Sequence, residues 1–328
     1  MASATMPAAV LLRHGAPPEH QERPVPNRGA GQALIRVTAA PISPLDLLCA
    51  SGRSYFGAPQ LPYIPGVQGV GVVEEGDALA RGTRVWFPCD AGMKPGDGSM
   101  AAYAVTDESA VLTLPENVAD DLVAALGLSA IAAWMALTWR GKVQQGEQVL
   151  VLGASGAVGQ VAVQAAKLLG AGRVIAASRD NTALARALTR GADATVDLTG
   201  DDAVVIHQRI VAACEGPLHL VIDPLWGAPA EAAGRALGVE GRLVNLGSSA
   251  GPTVRFESVT VRSRLHNILG YTNNALTHPQ KARALAEILV HAAAGRCTVD
   301  RETIPLARVG EAWELQAAFA RRKLILTP

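Results

Sequence analysis

Apolar positions in the first third of the chain come in short runs cut by proline and glycine. The runs 33–39 (ALIRVTA), 69–74 (GVGVVE) and 83–88 (TRVWFP) read as strands between turn residues, the pattern of an all-β, barrel-like domain. Residues 89–99 (CDAGMKPGDGS) read as an exposed loop. From Asp121 to Leu137 the spacing turns helical and alanine-rich. Strands and helices then alternate. Strands are predicted at 148–152, 173–177, 218–222, 242–246 and 266–270, and helices at 158–169, 182–190 and 228–237. That alternation predicts an α/β unit built on a doubly wound parallel sheet. An amphipathic helix over 281–293, a strand at 303–305, a helix over 309–321 and a closing strand at 323–326 complete the chain.

Composition narrows the function classes. A chain of 328 residues has room for two domains, and 49% hydrophobic with 18% charged residues is an ordinary globular balance. Lysine plus arginine equals aspartate plus glutamate, 29 against 29, so charge argues against nucleic acid or an anionic membrane as the main partner. Cys49, Cys89, Cys214 and Cys297 lie far apart and form no CxxC pair. This predicts neither a disulfide framework nor a zinc cluster, and a reducing cytoplasm fits best. The opening MASATMPAAVLLRHG is too short in its apolar part for a secretory leader and lacks basic residues before it. No apolar run of about 18–20 residues is apparent, so no membrane span is expected.

The strongest motif is QVLVLGASGAVGQVAVQAAKLLG, residues 148–170. A buried strand runs into the turn Gly153, Ala154, Ser155, Gly156, Ala157, Val158, Gly159, which opens directly into a helix. Small residues let backbone approach a pyrophosphate, the helix N-terminus offers free N–H groups, and the last glycine lets the helix pack on its strand. The next strand, RVIAA, ends in Ser178-Arg179. NAD-specific proteins place a carboxylate there, whereas a hydroxyl and a guanidinium suit the 2′-phosphate of NADPH. Asp180 follows and is expected to cap the helix near Thr182.

These residues resemble the medium-chain dehydrogenase/reductase superfamily. More narrowly, the chain looks like the zinc-free quinone oxidoreductases related to zeta-crystallin. The likeness runs almost end to end, through SGRSYFGAPQLPYIPGVQGVGVVEEG, GTRVWF, LTLPENV, GASGAVG and GRLVNLGSSAG. It implies a GroES-like β-rich catalytic domain of residues 1–123 and 273–328, with a Rossmann dinucleotide-binding domain, 124–272, inserted between.

The same resemblance tests for metal. Zinc-dependent relatives take ligands where this chain has Ser43, Val67 and, by alignment, Leu128. Hydroxyl and alkyl groups replace neither thiolate nor imidazole on zinc, so the zinc alcohol dehydrogenase reaction is not expected. What remains is hydride transfer from NADPH to an acceptor that is already electrophilic, a quinone or an α,β-unsaturated carbonyl compound.

The family pattern nominates Ser43, Tyr55 and Tyr63 as catalytic or site-lining residues. Packing beneath Pro62 and Pro65 is an equal reading of Tyr63, and Asp46 reads first as a helix cap. By resemblance, Gly247, Ser248 and Ser249 face the cofactor's riboses, and Tyr271, Thr272 and Asn273 face the nicotinamide, with Asn273 adding a side-chain donor. The chain departs from relatives at Ala132-Ala133-Trp134, at Ser43, and at Arg321-Arg322-Lys323, where extra positive charge either meets phosphate or is solvated. These departures point to a specialised small-molecule substrate. The resemblance also implies a homodimer, since relatives often pair the edge strand corresponding to 266–270 across a two-fold axis and edge strands need covering. Two alternatives use the same motifs: a sensor or partner protein that holds NADPH without turnover, and a tailoring enzyme in which bound nicotinamide assists a cyclisation or isomerisation.

Overall fold

The computed structural model describes residues 4–200, 202–318 and 321–328. The chain divides into two compact units. One comprises Met1–Gly127, His278–Ala293 and Val299–Pro328, and the other Leu128–Thr277 and Ala294–Thr298.

The first unit opens with an antiparallel pair, β1 (Thr5–Val10) and β2 (Glu19–Pro24). The three apolar runs of the sequence become β3 (Gln32–Pro41), β4 (Gln68–Glu75) and β5 (Arg84–Pro88), joined antiparallel in that order. Between β3 and β4 lies the short helix α1 (Pro44–Ala50). Strand β6 (Tyr103–Asp107) pairs with β3, and β7 (Leu112–Thr113) with β5. The segment 89–99 is exposed only at Asp90 and over 94–97. Cys89, Ala91 and Ser99 are buried, because the end of the loop is pinned to the start of β4. Gly98 N donates to Ile64 O at 2.7 Å, Ser99 N to Gly66 O at 3.1 Å, and Ser99 Oγ to Gln68 O.

Helix α2 (Asp120–Met135) is kinked at Gly127, where φ is 26° and ψ −128°. With the π-turn after it, the helical run Asp120–Arg140 has 21 residues and a mean hydropathy of 1.8. By length and composition alone it is apolar enough to cross a membrane, as a buried core helix also can be, and 61% of its apolar window is buried inside the protein.

The second unit is a six-stranded parallel sheet. Its strands are β8 (Gln148–Leu152), β9 (Arg173–Ser178), β10 (Ala194–Asp197), β11 (Leu218–Asp223), β12 (Leu237–Asn245) and β13 (Asn267–Gly270), in spatial order β10-β9-β8-β11-β12-β13. Helices α3 (Ala157–Leu168), α4 (Asn181–Thr189), α5 (Ala203–Ala213), α6 (Gly227–Ala236) and α7 (Ser258–Ser263) connect them. Strand β8 is buried along its whole length, as its unbroken apolar run requires of a central parallel strand. The chain reverses its order between β8 and β11, and such a reversal opens a crevice at the carboxyl ends of the strands.

The chain then returns to the first unit through α8 (His278–Ala293), β14 (Arg301–Pro305), α9 (Val309–Ala317) and β15 (Lys323–Thr327). The helix expected over 309–321 ends at Ala317; Phe319 and Ala320 lie outside the described residues. Strand β15 pairs parallel with β14 and antiparallel with β3, so the C-terminus is sewn into the β-sheet begun by the N-terminal third. The whole is an α/β protein with a β-rich GroES-like part and a Rossmann-like part.

Candidate functional site

At the carboxyl end of β8 the backbone turns through Gly153, whose φ of +65° favours glycine. Gly156 is the N-cap of α3 and has no side-chain oxygen to satisfy the first-turn N–H groups. Those donors, with the positive end of the helix dipole, form an anion cradle. The cradle is braced from outside. Ala154 N donates to Ala177 O at 2.9 Å, Gln160 Nε2 to Ser155 O at 2.9 Å, and Arg190 Nη1 to Gln160 Oε1 at 2.8 Å. A side chain on Gly159 would run into Gly153 O, so helix and turn touch backbone to backbone.

Strand β9 ends at Ser178, a buried residue whose Oγ accepts from Asp180 N at 3.1 Å. Asp180 Oδ1 accepts from Thr182 N and Ala183 N, so this carboxylate caps α4 as its place in the sequence implies. Arg179 is exposed, and among the described residues it has no hydrogen-bond or ion-pair partner.

Opposite the phosphate turn lies the loop after β11. A Cβ on Gly153 would sit 3.1 Å from both Pro224 Cγ and Leu225 Cδ2. Asp223, fully buried, ends β11 and accepts from Leu225 N and Trp226 N, both at 2.9 Å. Asn245 Nδ2 bridges to Asp223 Oδ2 at 3.2 Å and to Gly247 O at 2.7 Å. The next loop, with Gly247, Ser248 and Ser249, is latched on by Ala250 N to Leu225 O at 2.7 Å and Ser249 Oγ to Pro224 O at 3.3 Å. Within this brace Trp226 has φ +58° and ψ −160°. A side chain in that region costs about 1–3 kcal/mol. After β13, Tyr271 OH donates to Asn273 Oδ1 at 2.6 Å, and Asn273 Nδ2 donates to Leu128 O at 2.9 Å. The expected side-chain donor at Asn273 is therefore spent on structure, and Thr272 caps the 3₁₀ turn that follows.

In the first unit two of the three nominated residues, Ser43 and Tyr63, lie near Asp46. Ser43 is the N-cap of α1 and Asp46 its N3 partner, a reciprocal capping box in which Ser43, not Asp46, holds the cap position. Asp46 is buried, and its carboxylate accepts from four donors. These are Ser43 N at 2.8 Å, Ser43 Oγ at 2.5 Å, Gly66 N at 3.1 Å and Val67 N at 3.0 Å. Ser43 is thus committed: its hydroxyl donates to Asp46 Oδ2 and accepts from Asp46 N. Tyr63 belongs to the hydrophobic core, and its hydroxyl is buried without a hydrogen-bond partner. Burial, with Asp46 and Cys49 nearby, pushes its pKa up. Burial and Asp46 likewise push the Cys49 thiol up to about 11. Tyr55 is not part of this cluster; it is 74% exposed, its ring 4.2 Å from that of Phe56.

Lys323, read from the sequence as phosphate-facing or solvated charge, is neither of these in solvent: it is buried. The register pairs Ile325 with Pro41 and Leu326 with Ala40, and Ile42 N donates to Leu324 O at 3.0 Å, so Lys323 falls beside Ser43. Burial drives its ammonium from 10.5 down to about 8, and the Asp46 charge opposes that fall. Between pH 8 and 10.5 the unfolded chain keeps a proton that the folded chain has released, so stability rises with pH across that window. Against a Lys323→Met variant, the unfolding free energy of the wild type should gain about 3 kcal/mol from below pH 8 to above 10.5. Parallel pH profiles for the two proteins would contradict this assignment.

Of the three residues that the resemblance aligned with zinc ligands, Ser43 carries a hydroxyl committed to Asp46, Val67 a buried isopropyl group and Leu128 an alkyl chain. This donor set does not fit zinc. Among the described residues no group of three or more His, Cys, Asp or Glu side chains is arranged to hold a metal.

Residues 29–116 match the alcohol dehydrogenase GroES-like domain, and 157–289 the family described as zinc-binding dehydrogenase. An alcohol dehydrogenase of Rhizobium meliloti (strain 1021) is 33% identical over 246 residues, covering 67% of this chain and 71% of that protein. This chain belongs to the medium-chain dehydrogenase/reductases. Within them it is quinone oxidoreductase-like: the Homo sapiens quinone oxidoreductase is 38% identical over 143 residues, 42% of each chain. A mycobacterial protein solved in complex with NADPH superposes with a TM-score of 0.85 at 23% identity, over 98% of this chain and 100% of that one, and so shares the fold. As a medium-chain dehydrogenase/reductase the protein is a nicotinamide-dependent oxidoreductase, and small molecules are the substrates consistent with that family.

Proposed function

We propose that this oxidoreductase binds NADPH and reduces a quinone or an α,β-unsaturated carbonyl compound without zinc. The observation that carries the cofactor choice is Arg179, an exposed guanidinium without a partner at the end of β9, with the neighbouring carboxylate of Asp180 turned into a helix cap. The pyrophosphate would lie on the N-terminal N–H groups of α3, and Arg179 would grip the 2′-phosphate in a charge-assisted pair. Bound NADPH supplies a hydride, which an electrophilic alkene or quinone accepts without a Lewis acid. The donor set at Ser43, Val67 and Leu128 supports the metal-free reading.

Of the nominated side chains, Ser43 is tied to Asp46 and holds its loop, whereas Tyr63 stays protonated with its O–H uncommitted. That hydroxyl is closed inside the core, so Tyr63 serves packing and does not reach a substrate oxygen. Gly247, Ser248, Ser249, Tyr271 and Thr272 contribute backbone toward the cofactor, while Asn273 fixes its segment.

The test is a titration with NADPH and NADH, then turnover with quinones, enones and alkyl aldehydes. NADPH should bind more tightly, and Arg179→Ala should weaken NADPH by about 10- to 100-fold while leaving NADH unchanged. Equal loss for both cofactors would refute the 2′-phosphate role. Turnover of aldehydes alone would refute the acceptor class.

A further inference from the structure

Trp226 occupies a backbone conformation that glycine adopts without strain, yet the chain places there its bulkiest side chain type. The turn is over-determined. Asp223 accepts from Leu225 N and Trp226 N, Asn245 fastens Asp223, and Ala250 N fastens Leu225 O. A Cβ on the following Gly227 would lie 3.0 Å from Ala250 O, which closes the turn from its other side. Strain held by so many bonds marks a side chain whose placement is functional.

The position indicates the function. The sheet order reverses between β8 and β11, so the turn at Trp226 and the phosphate turn at Gly153 stand on either side of the crevice where dinucleotides bind. The indole is half-buried, its ring set edge-on to Phe256 with centroids 5.9 Å apart and planes at 76°. Its N–H makes no hydrogen bond among the described residues. Arg179 directly follows β9, on the other side of β8, and the ends of two strands flanking a third lie about 10 Å apart.

Resting on the cofactor reading above, we propose that Trp226 is the aromatic wall against which the adenine ring of the cofactor stacks. A base stacks on an indole by surface contact that needs no hydrogen-bond partner, which suits a ring whose N–H is left open. The Asp223–Asn245 brace holds the indole in place before the base arrives, so little ordering is left for binding to supply.

The probes are 2′,5′-ADP, which carries only the adenosine half, and NADPH, each titrated by calorimetry into wild type, Trp226→Gly and Trp226→Phe. Glycine suits the turn and keeps the protein folded, with a thermal midpoint no lower than wild type as the check. Trp226→Gly should weaken 2′,5′-ADP and NADPH alike, about 10-fold, and Trp226→Phe should restore most of the loss. Unchanged 2′,5′-ADP affinity in Trp226→Gly would overturn the proposal. So would weakened NADPH with 2′,5′-ADP unchanged, since the ring would then face the nicotinamide end. If wild type takes up neither NADPH nor NADH, the function proposed above falls and this role with it. Wild-type binding with an unaffected glycine variant overturns the role of Trp226 alone.

Discussion

Alanine at position 159 should abolish uptake of NADPH and lower the unfolding free energy by about 3 kcal/mol. The added methyl would run into Gly153 O, with Ala154 Cα at 2.7 Å and Gly153 C at 2.8 Å. These are backbone atoms, and none can swing aside as the end of a side chain can. Nor can the turn drift as a unit. Gly153 O already accepts from Gly156 N at 3.0 Å, and Ala154 N is held by Ala177 O on β9. Either α3 lifts from β8, exposing the apolar seam that buries Val161, Ala162 and Ala165, or the turn opens and its N–H groups no longer converge. Both routes remove the anion cradle, so affinity should fall at least about 100-fold. Gly156→Ala separates stability from binding. Its Cβ would meet only Gly153 O, at 3.6 Å, an ordinary contact, and its φ of −77° suits any residue. The protein should keep its stability within about 0.5 kcal/mol, while the methyl stands where a pyrophosphate must approach. Calorimetric titration and thermal melts of the two variants check both halves. A Gly159→Ala protein that binds NADPH like wild type would end the assignment of this turn to phosphate.

That turn was legible in sequence because everything that builds it is local: a five-residue apolar strand, a run of small residues and a helix within twenty-three positions. The alternation after it was legible for the same reason, each strand and helix carrying its own periodicity. Strand β2 was missed because it is an exposed edge pair whose residues, EHQERP, show no apolar alternation. Strand β10 has four residues, only one of them buried. The spacing of Ser43 and Asp46 is that of a capping box, but the other two donors to Asp46 come from Gly66 and Val67, 20 and 21 positions away, where no local pattern announces them. Lys323 looked like the end of a charged surface run because Arg321 and Arg322 are exposed. Its burial comes from β15 being a strand with neighbours on both sides, β14 and β3, a pairing made across the full length of the chain. The strain at Trp226 is a backbone property that no side-chain pattern encodes.

Asp46→Ala should destabilise the protein by about 3–5 kcal/mol, the scale of breaking a buried charge arrangement by removing one member. The carboxylate joins three stretches of the first unit: the cap of α1, the Gly66-Val67 segment before β4 and, electrostatically, Lys323 on β15. Alanine leaves the amides of Ser43, Gly66 and Val67 without their acceptor and leaves Lys323 without the charge that opposes its desolvation. Each buried donor so orphaned costs about 1–3 kcal/mol, partly recovered where relaxation admits water. Asparagine should cost less, about 1–2 kcal/mol. Burial pushes the Asp46 carboxyl above its ordinary range, so the ion itself carries a desolvation cost that the amide avoids. The remaining oxygen of asparagine can still serve Gly66 and Val67, while its NH₂ would face the Ser43 amide, donor against donor. The order wild type, asparagine, alanine should appear in denaturant midpoints at constant m-value. Loss of less than about 1 kcal/mol for alanine would mean that the amides find other partners, and that the Ser43 loop is held by something other than this carboxylate.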